Sequence, residues 1–197
     1  MILQIIGQVC WALGIHPGFL TSATGPIMFG LDGMNQAAYA AGQTIPNIIG
    51  MAFSYSMTIA VLYPAFALAV LIFSKSNQLK TVGKISIAPA FFGISEPLMF
   101  GVPVVMNPFM AIPWIISPTV NVLLGWLACS SGLVARYAGV TVFNFPMGVT
   151  GILNGSFTIA ILEVVVCIID VLIFMPFVRI QDKKYIDAEK AAETEQN

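Results

Sequence analysis

Two side chains in this 197-residue sequence carry chemistry that their surroundings do not explain. Glu96 is the one acid in the stretch Ala90 to Pro108, AFFGISEPLMFGVPVVMNP. There, with Pro89 just before it, Gly93, Pro97, Gly101, Pro103 and Pro108 interrupt a long apolar run. A carboxylate there can accept hydrogen bonds from a bound hydroxyl, and an ionisable group inside an apolar segment marks a functional site by default. Ser95 precedes it with a hydroxyl that both donates and accepts. His16, the only histidine, sits in GIHPG, and a neutral imidazole likewise offers one donor and one acceptor. Trp11 lies five positions earlier, about one and a half helical turns away, where an indole face beside polar groups would hold a sugar ring or simply pack.

Other charged residues invite plainer readings. Asp32, in GLDGMNQ, is expected to end or cap a short helix, because Gly, Asp and Asn favour such positions. Glu163 and Asp170 are seven apart in the last apolar run and share a face, toward a missing partner or the bundle interior or, less simply, along a proton path. Cys10, Cys129 and Cys167 are an odd number of thiols in apolar settings without metal-ligand spacing, hence packing residues. No phosphate-cradling loop, nucleophile elbow or zinc pair occurs, so neither metal nor cofactor is expected.

The elements that must position these residues belong to a membrane. The chain is 58% hydrophobic and only 9% charged, with mean hydropathy +0.90, whereas soluble domains carry roughly 25% charged residues. A net charge of -1 supplies no basic stripe for nucleic acid. Met1 to Ile15 is too short for the roughly 20 residues of a crossing. His16 to Asn47 is rich in Gly, Pro and small polar residues and predicts short or re-entrant helices. Ile48 to Phe73, Phe109 to Leu127 and Ser156 to Phe177 predict three spans.

Charge orients them. Lys75, Lys80 and Lys84 lie in a short loop without an acid, and Arg179, Lys183 and Lys184 follow the last span, so the positive-inside rule puts both in the cytoplasm. An even number of crossings separates two cytoplasmic points, and the last two spans supply it. Ile85 to Pro108 must then enter and leave on one side, as a re-entrant hairpin with Gly93 to Pro97 near its tip. VTVFNFPMGVTGILNGS, with Phe143, Asn144, Phe145 and Asn154, has the polar-aromatic character of a loop that folds back toward the site. Residues 1–178 form the membrane domain, and residues 179–197 read as a charged, solvated and frayed tail.

GISEPLMFGVPVVMNP resembles the central motif of enzyme IIC, the membrane component of the sugar phosphotransferase system, in its lactose, cellobiose and chitobiose branch. MILQIIGQVCWALGIHPG, KSNQLKTVGKISIAPAFFGI, NPFMAIPWIISP and LIFMPFVRI extend the resemblance over Met1 to Ile180. It implies an all-α multi-pass permease of the bacterial inner membrane that takes up a disaccharide and presents it, on the cytoplasmic side, to the phosphocysteine of a separate IIB protein. The family's hairpin carboxylate maps onto Glu96, accepting from the sugar's 6-hydroxyl, and its site histidine maps onto His16. Ser95, Asn107, Trp11, Phe143 and Asn144 complete the implied sugar contacts. The family often has Asn where this chain has Ser95, and a Trp-Thr-Thr-Pro run where it has Phe143-Asn144-Phe145-Pro146, so stacking by Phe143 lacks an indole donor. Family members are longer, with an N-terminal bundle that supplies dimer contacts. The resemblance therefore implies such a half and a homodimer as partners, with a non-transporting remnant, or a carrier coupled to ions through Glu163 and Asp170, as the alternatives.

Overall fold

The computed structural model describes residues 2–195; Met1, which opens the membrane domain, and Gln196 and Asn197, which close the tail, lie outside them. Among the described residues every regular element is helical. In chain order they are α1 (Ile2–Ala12), α2 (Gly18–Ala40), α3 (Met51–Tyr55), α4 (Val61–Phe73), α5 (Asn77–Phe91), α6 (Glu96–Gly101), α7 (Pro108–Ser130), α8 (Val149–Leu153) and α9 (Phe157–Glu195). A π-turn over Ser56–Ala60 joins α3 to α4, giving one rod from Met51 to Phe73.

That rod, Pro108–Ser130 and Phe157–Thr194 are long and apolar enough to cross a bilayer, matching the three expected spans to within a few residues at most ends. They are not equivalent. The most apolar stretch of the rod is 72% buried, against 39% for each of the others. Apolar on all sides, α4 is therefore the hub. Its Leu62, Phe66 and Val70 meet Leu79 of α5, Leu98 and Met99 of α6, Trp114 of α7 and Phe174 of α9 in one core.

In lipid such a core gains little from leaving water, so close packing must hold it together. Phe66 stacks on Phe174 at 4.5 Å between ring centres, and Tyr63 stacks on Trp114 at 5.8 Å. Gly83 of α5 crosses α4 so closely that a Cβ there would lie 3.1 Å from the Leu71 backbone. The outer faces of α7 and α9 leave Trp126, Leu127, Ile161, Ile168 and Leu172 exposed, as lipid-facing residues should be.

Three expectations are corrected. Residues 18–40 form one continuous helix through Pro26, not several short ones. The polar residues that looked like breakers share a face and dock: Asn35 Nδ2 donates to the Tyr137 carbonyl at 3.1 Å, and Gln36 Nε2 to the Gly139 carbonyl at 2.6 Å. Asp32, on the same face, does cap a helix, but not its own. Its Oδ2 accepts the Ala52 N–H at 2.9 Å at the start of α3 and the Thr141 hydroxyl at 2.8 Å. A Cβ on Gly50 would collide with this carboxylate. Burial pushes the Asp32 carboxyl up from its ordinary range, against those two hydrogen bonds, which pull it down.

The third correction concerns the tail, where helix α9 continues to Glu195 without a break. Asp182 there is buried and accepts from the Ser76 N–H at 3.0 Å, the Ser76 hydroxyl at 2.6 Å and the Lys75 N–H at 2.7 Å. Glu189, two turns on, accepts from the Gln78 N–H at 3.0 Å. Acids from α9 thus satisfy amides at the start of α5. The order of the tail comes from that contact.

Candidate functional site

The hairpin forms as its breakers dictate. Helix α5 ends at Phe91, and the chain turns through Gly93, whose φ of 76° suits a residue without a Cβ. A Cβ at Gly93 would lie 2.8 Å from the Tyr55 hydroxyl and 3.3 Å from Ile59. Pro97 stands in the first turn of α6, where its missing N–H would have had no helical partner anyway. The Ser95 carbonyl accepts from Leu98 and Met99, both at 2.9 Å. Ser95 is buried and Glu96 exposed. The Glu96 carboxylate has no hydrogen-bond partner among the described residues.

The rod presents Tyr55, Ile59 and Tyr63 to this tip. Tyr63 lies near Ser95 and Glu96. Eight residues of regular helix would turn Tyr63 about 80° from Tyr55. A π-turn absorbs about one residue and brings the two to within about 20°. The Tyr55 hydroxyl also accepts the Asn144 N–H at 2.7 Å, and its ring meets Phe143 edge-on at 5.2 Å. The loop carrying Phe143 and Asn144 therefore folds back onto the hairpin tip.

The turn after α1 packs against the arm leading to α7. Met106 N–H donates to the Ala12 carbonyl at 2.8 Å, and a Cβ on Gly14 would touch Val105 at 3.1 Å. In this turn the Trp11 and His16 rings meet edge-on at 4.8 Å. His16 Nδ1 accepts the Gly18 N–H at 3.0 Å, which leaves the proton of a neutral ring on Nε2 as a donor. The imidazole is exposed. Glu96 and His16 are thus both exposed polar side chains, one an acceptor at the start of α6 and the other a donor in the turn after α1.

Asn107 serves the backbone. Its Oδ1 accepts from Phe109 N–H at 3.1 Å and Met110 N–H at 3.3 Å, capping α7. Tyr55 and Tyr63 were missed by sequence reasoning. Their signal was present as phenols eight apart in an apolar run, but nothing local said that they face the hairpin tip.

Glu163 and Asp170, the two acids in the apolar part of α9, are fully buried. Glu163 Oε1 accepts the Ser56 and Thr150 hydroxyls and Oε2 the Gly148 N–H, each at 2.5 Å. Tyr137 lies 2.8 Å from Ser56 Oγ and must be the donor there, since Ser56 gives its single proton to Glu163. Asp170 Oδ2 accepts from Asn121 Nδ2 at 2.7 Å, while its Oδ1 has no partner among the described residues. Among those residues no group of three or more His, Cys, Asp and Glu is placed to hold a metal.

The family model "Phosphotransferase system, EIIC" matches residues 1–118. The chain is 36% identical over 190 residues to an oligo-β-mannoside-specific EIIC component of Bacillus subtilis, covering 93% of this chain and 43% of that protein. It is 33% identical over 204 residues to a cellobiose-specific EIIC component of Geobacillus stearothermophilus, covering 98% and 45%. It superposes on the crystal structure of ChbC, the IIC component of an N,N'-diacetylchitobiose-specific phosphotransferase system, with a TM-score of 0.91 and 36% identity, over 96% of this chain and 45% of that one. The chain spans about half the length of the curated relatives it matches.

Proposed function

As this chain belongs to the EIIC family of the phosphotransferase system, we propose that it is the sugar-binding part of a permease that takes up a β-linked disaccharide. The observation that carries the reading is Glu96: an exposed carboxylate without a protein partner, at the tip of a hairpin ringed by Tyr55, Tyr63 and Phe143. Glu96 accepts the hydrogen of the sugar's 6-hydroxyl, and His16 Nε2–H donates to another sugar oxygen. Trp11 and Phe143 border the ring, while Ser95 and Asn144 line the tip and Asn107 fixes the arm behind it. The phosphoryl group comes from the phosphocysteine of a IIB protein. Its S–P bond breaks as the O6–P bond forms, the O6 proton passing to Glu96, so the chain's share of catalysis is mainly positioning.

Residues 1–178 form the membrane part and 179–197 the cytoplasmic extension, with Lys75, Lys80 and Lys84 on the same side, the last two in helix α5 and not in the loop expected from the sequence. An N-terminal IIC half and a second copy complete the transporter in a bacterial plasma membrane. The test is equilibrium binding of cellobiose, N,N'-diacetylchitobiose, lactose and a β-mannobiose to the reconstituted chain, its Glu96→Gln variant and its His16→Ala variant. Binding of one sugar that both variants lose supports the reading. Binding of none, or full binding by both variants, overturns it.

A further inference from the structure

Ten residues beyond Tyr63 on α4, about 15 Å along the helix, the bundle carries a second recess. A cavity of about 460 Å³ opens between the end of α4 and the polar extension of α9. Its cationic lining is Lys75, Arg179 and Lys183, and its apolar lining is Ile72, Phe73 and Ile186. Arg179 and Lys183 are one helical turn apart and share a face with Ile186. The Arg179 guanidinium lies 5.0 Å from the centre of the Phe73 ring, which holds its charge beside the opening.

Asp182 is the one acid in this lining. It offsets one of the three cationic charges and leaves the lining net positive. Its Oδ2 is taken by the Lys75 N–H and its Oδ1 by Ser76, and it is 3% exposed. Lys75, Arg179 and Lys183 make no ion pair among the described residues. The recess is therefore a positively charged cup with an apolar wall at the level where two spans leave the apolar zone. Ile72 and Ile180, 59% and 52% exposed, continue that wall outward.

We propose that this recess binds the headgroup phosphate of an anionic phospholipid, with Lys75, Arg179 and Lys183 around the phosphate and the acyl chains along Ile72. A basic pocket at the end of transmembrane helices is the electrostatic form that attracts such lipids. Free phosphate shares the charge chemistry but would gain nothing from the isoleucine wall.

The test uses the whole chain in nanodiscs of phosphatidylcholine with a minor fraction of phosphatidylglycerol, followed by native mass spectrometry of the lipid retained after detergent extraction. Wild type is expected to retain phosphatidylglycerol over phosphatidylcholine, and Lys75→Gln with Lys183→Gln to weaken that retention roughly tenfold. Lys80→Gln with Lys84→Gln removes the same charge from α5 outside the cavity and is expected to retain it. Arg179→Lys, which keeps the charge, checks that loss does not come from misfolding. Equal loss in both double variants, no preference between the lipids, or displacement by millimolar inorganic phosphate would overturn the proposal.

Discussion

Glu96 and Glu163 are both carboxylates in apolar sequence, and the fold treats them in opposite ways. Glu163 is fully buried and receives three donors from two separate segments, the rod and the start of α8. Glu96 is exposed on a turn that the rod and a returning loop surround, without a donor of its own among the described residues. A buried acid must have its desolvation offset by hydrogen bonds. Once those are made most of its acceptor capacity is spent. An acid held at a tip without partners keeps that capacity. The difference separates a residue that builds the site from one that serves it.

The contrast is broken first by Glu163→Ala. This change would leave Ser56, Thr150 and the Gly148 amide without their acceptor, and it is expected to lower stability by about 3 kcal/mol or more. Thermal unfolding in detergent reads this, and a variant as stable as wild type would end the structural assignment. Glu96→Gln is expected to leave the unfolding temperature unchanged. It should weaken sugar binding roughly 30-fold, as loss of a charge-assisted hydrogen bond of about 2 kcal/mol requires. Titration of the binding sugar into both proteins provides the measurement.

Smaller effects sharpen the same line. His16→Ala is expected to weaken binding about tenfold with stability intact, because among the described residues its ring makes one aromatic contact, to Trp11, and one hydrogen bond, from the Gly18 amide. Asp32→Ala should cost about 1 kcal/mol of stability through the lost cap on α3. It should also leave sugar affinity within about twofold, checked by the same pair of assays. Tyr55→Phe keeps the ring against Phe143 but removes the acceptor for Asn144. It is expected to fall between the two classes, with about 1 kcal/mol of stability lost and a faster-exchanging Asn144 amide in hydrogen exchange.

Asp170 is intermediate between the two glutamates. It has one hydrogen bond, to Asn121, and one oxygen without a partner among the described residues. The expectation that Glu163 and Asp170 face the bundle interior holds for both.

Much of this was legible without coordinates. Three spans follow from apolar runs long enough for a bilayer, and a hairpin follows from prolines and glycines too dense for a straight helix. Glu96 and His16 stand out by type alone. These are local properties, fixed by composition, length and backbone chemistry within a few residues. Asp182 with Ser76, Glu163 with Ser56 and Asp32 with Ala52 are pairings between distant segments, and no period in the sequence encodes which buried acid meets which donor. For the same reason α2 read as fragments: its polar face looks like a set of breakers until the Tyr137–Thr141 strip that binds it is in place. The sequence by itself determined where an acid would be costly, and the tertiary structure decided whether that cost was met by partners or left open for a ligand. Satisfying a carboxylate takes donors from several segments at once, and only the packed chain brings them together.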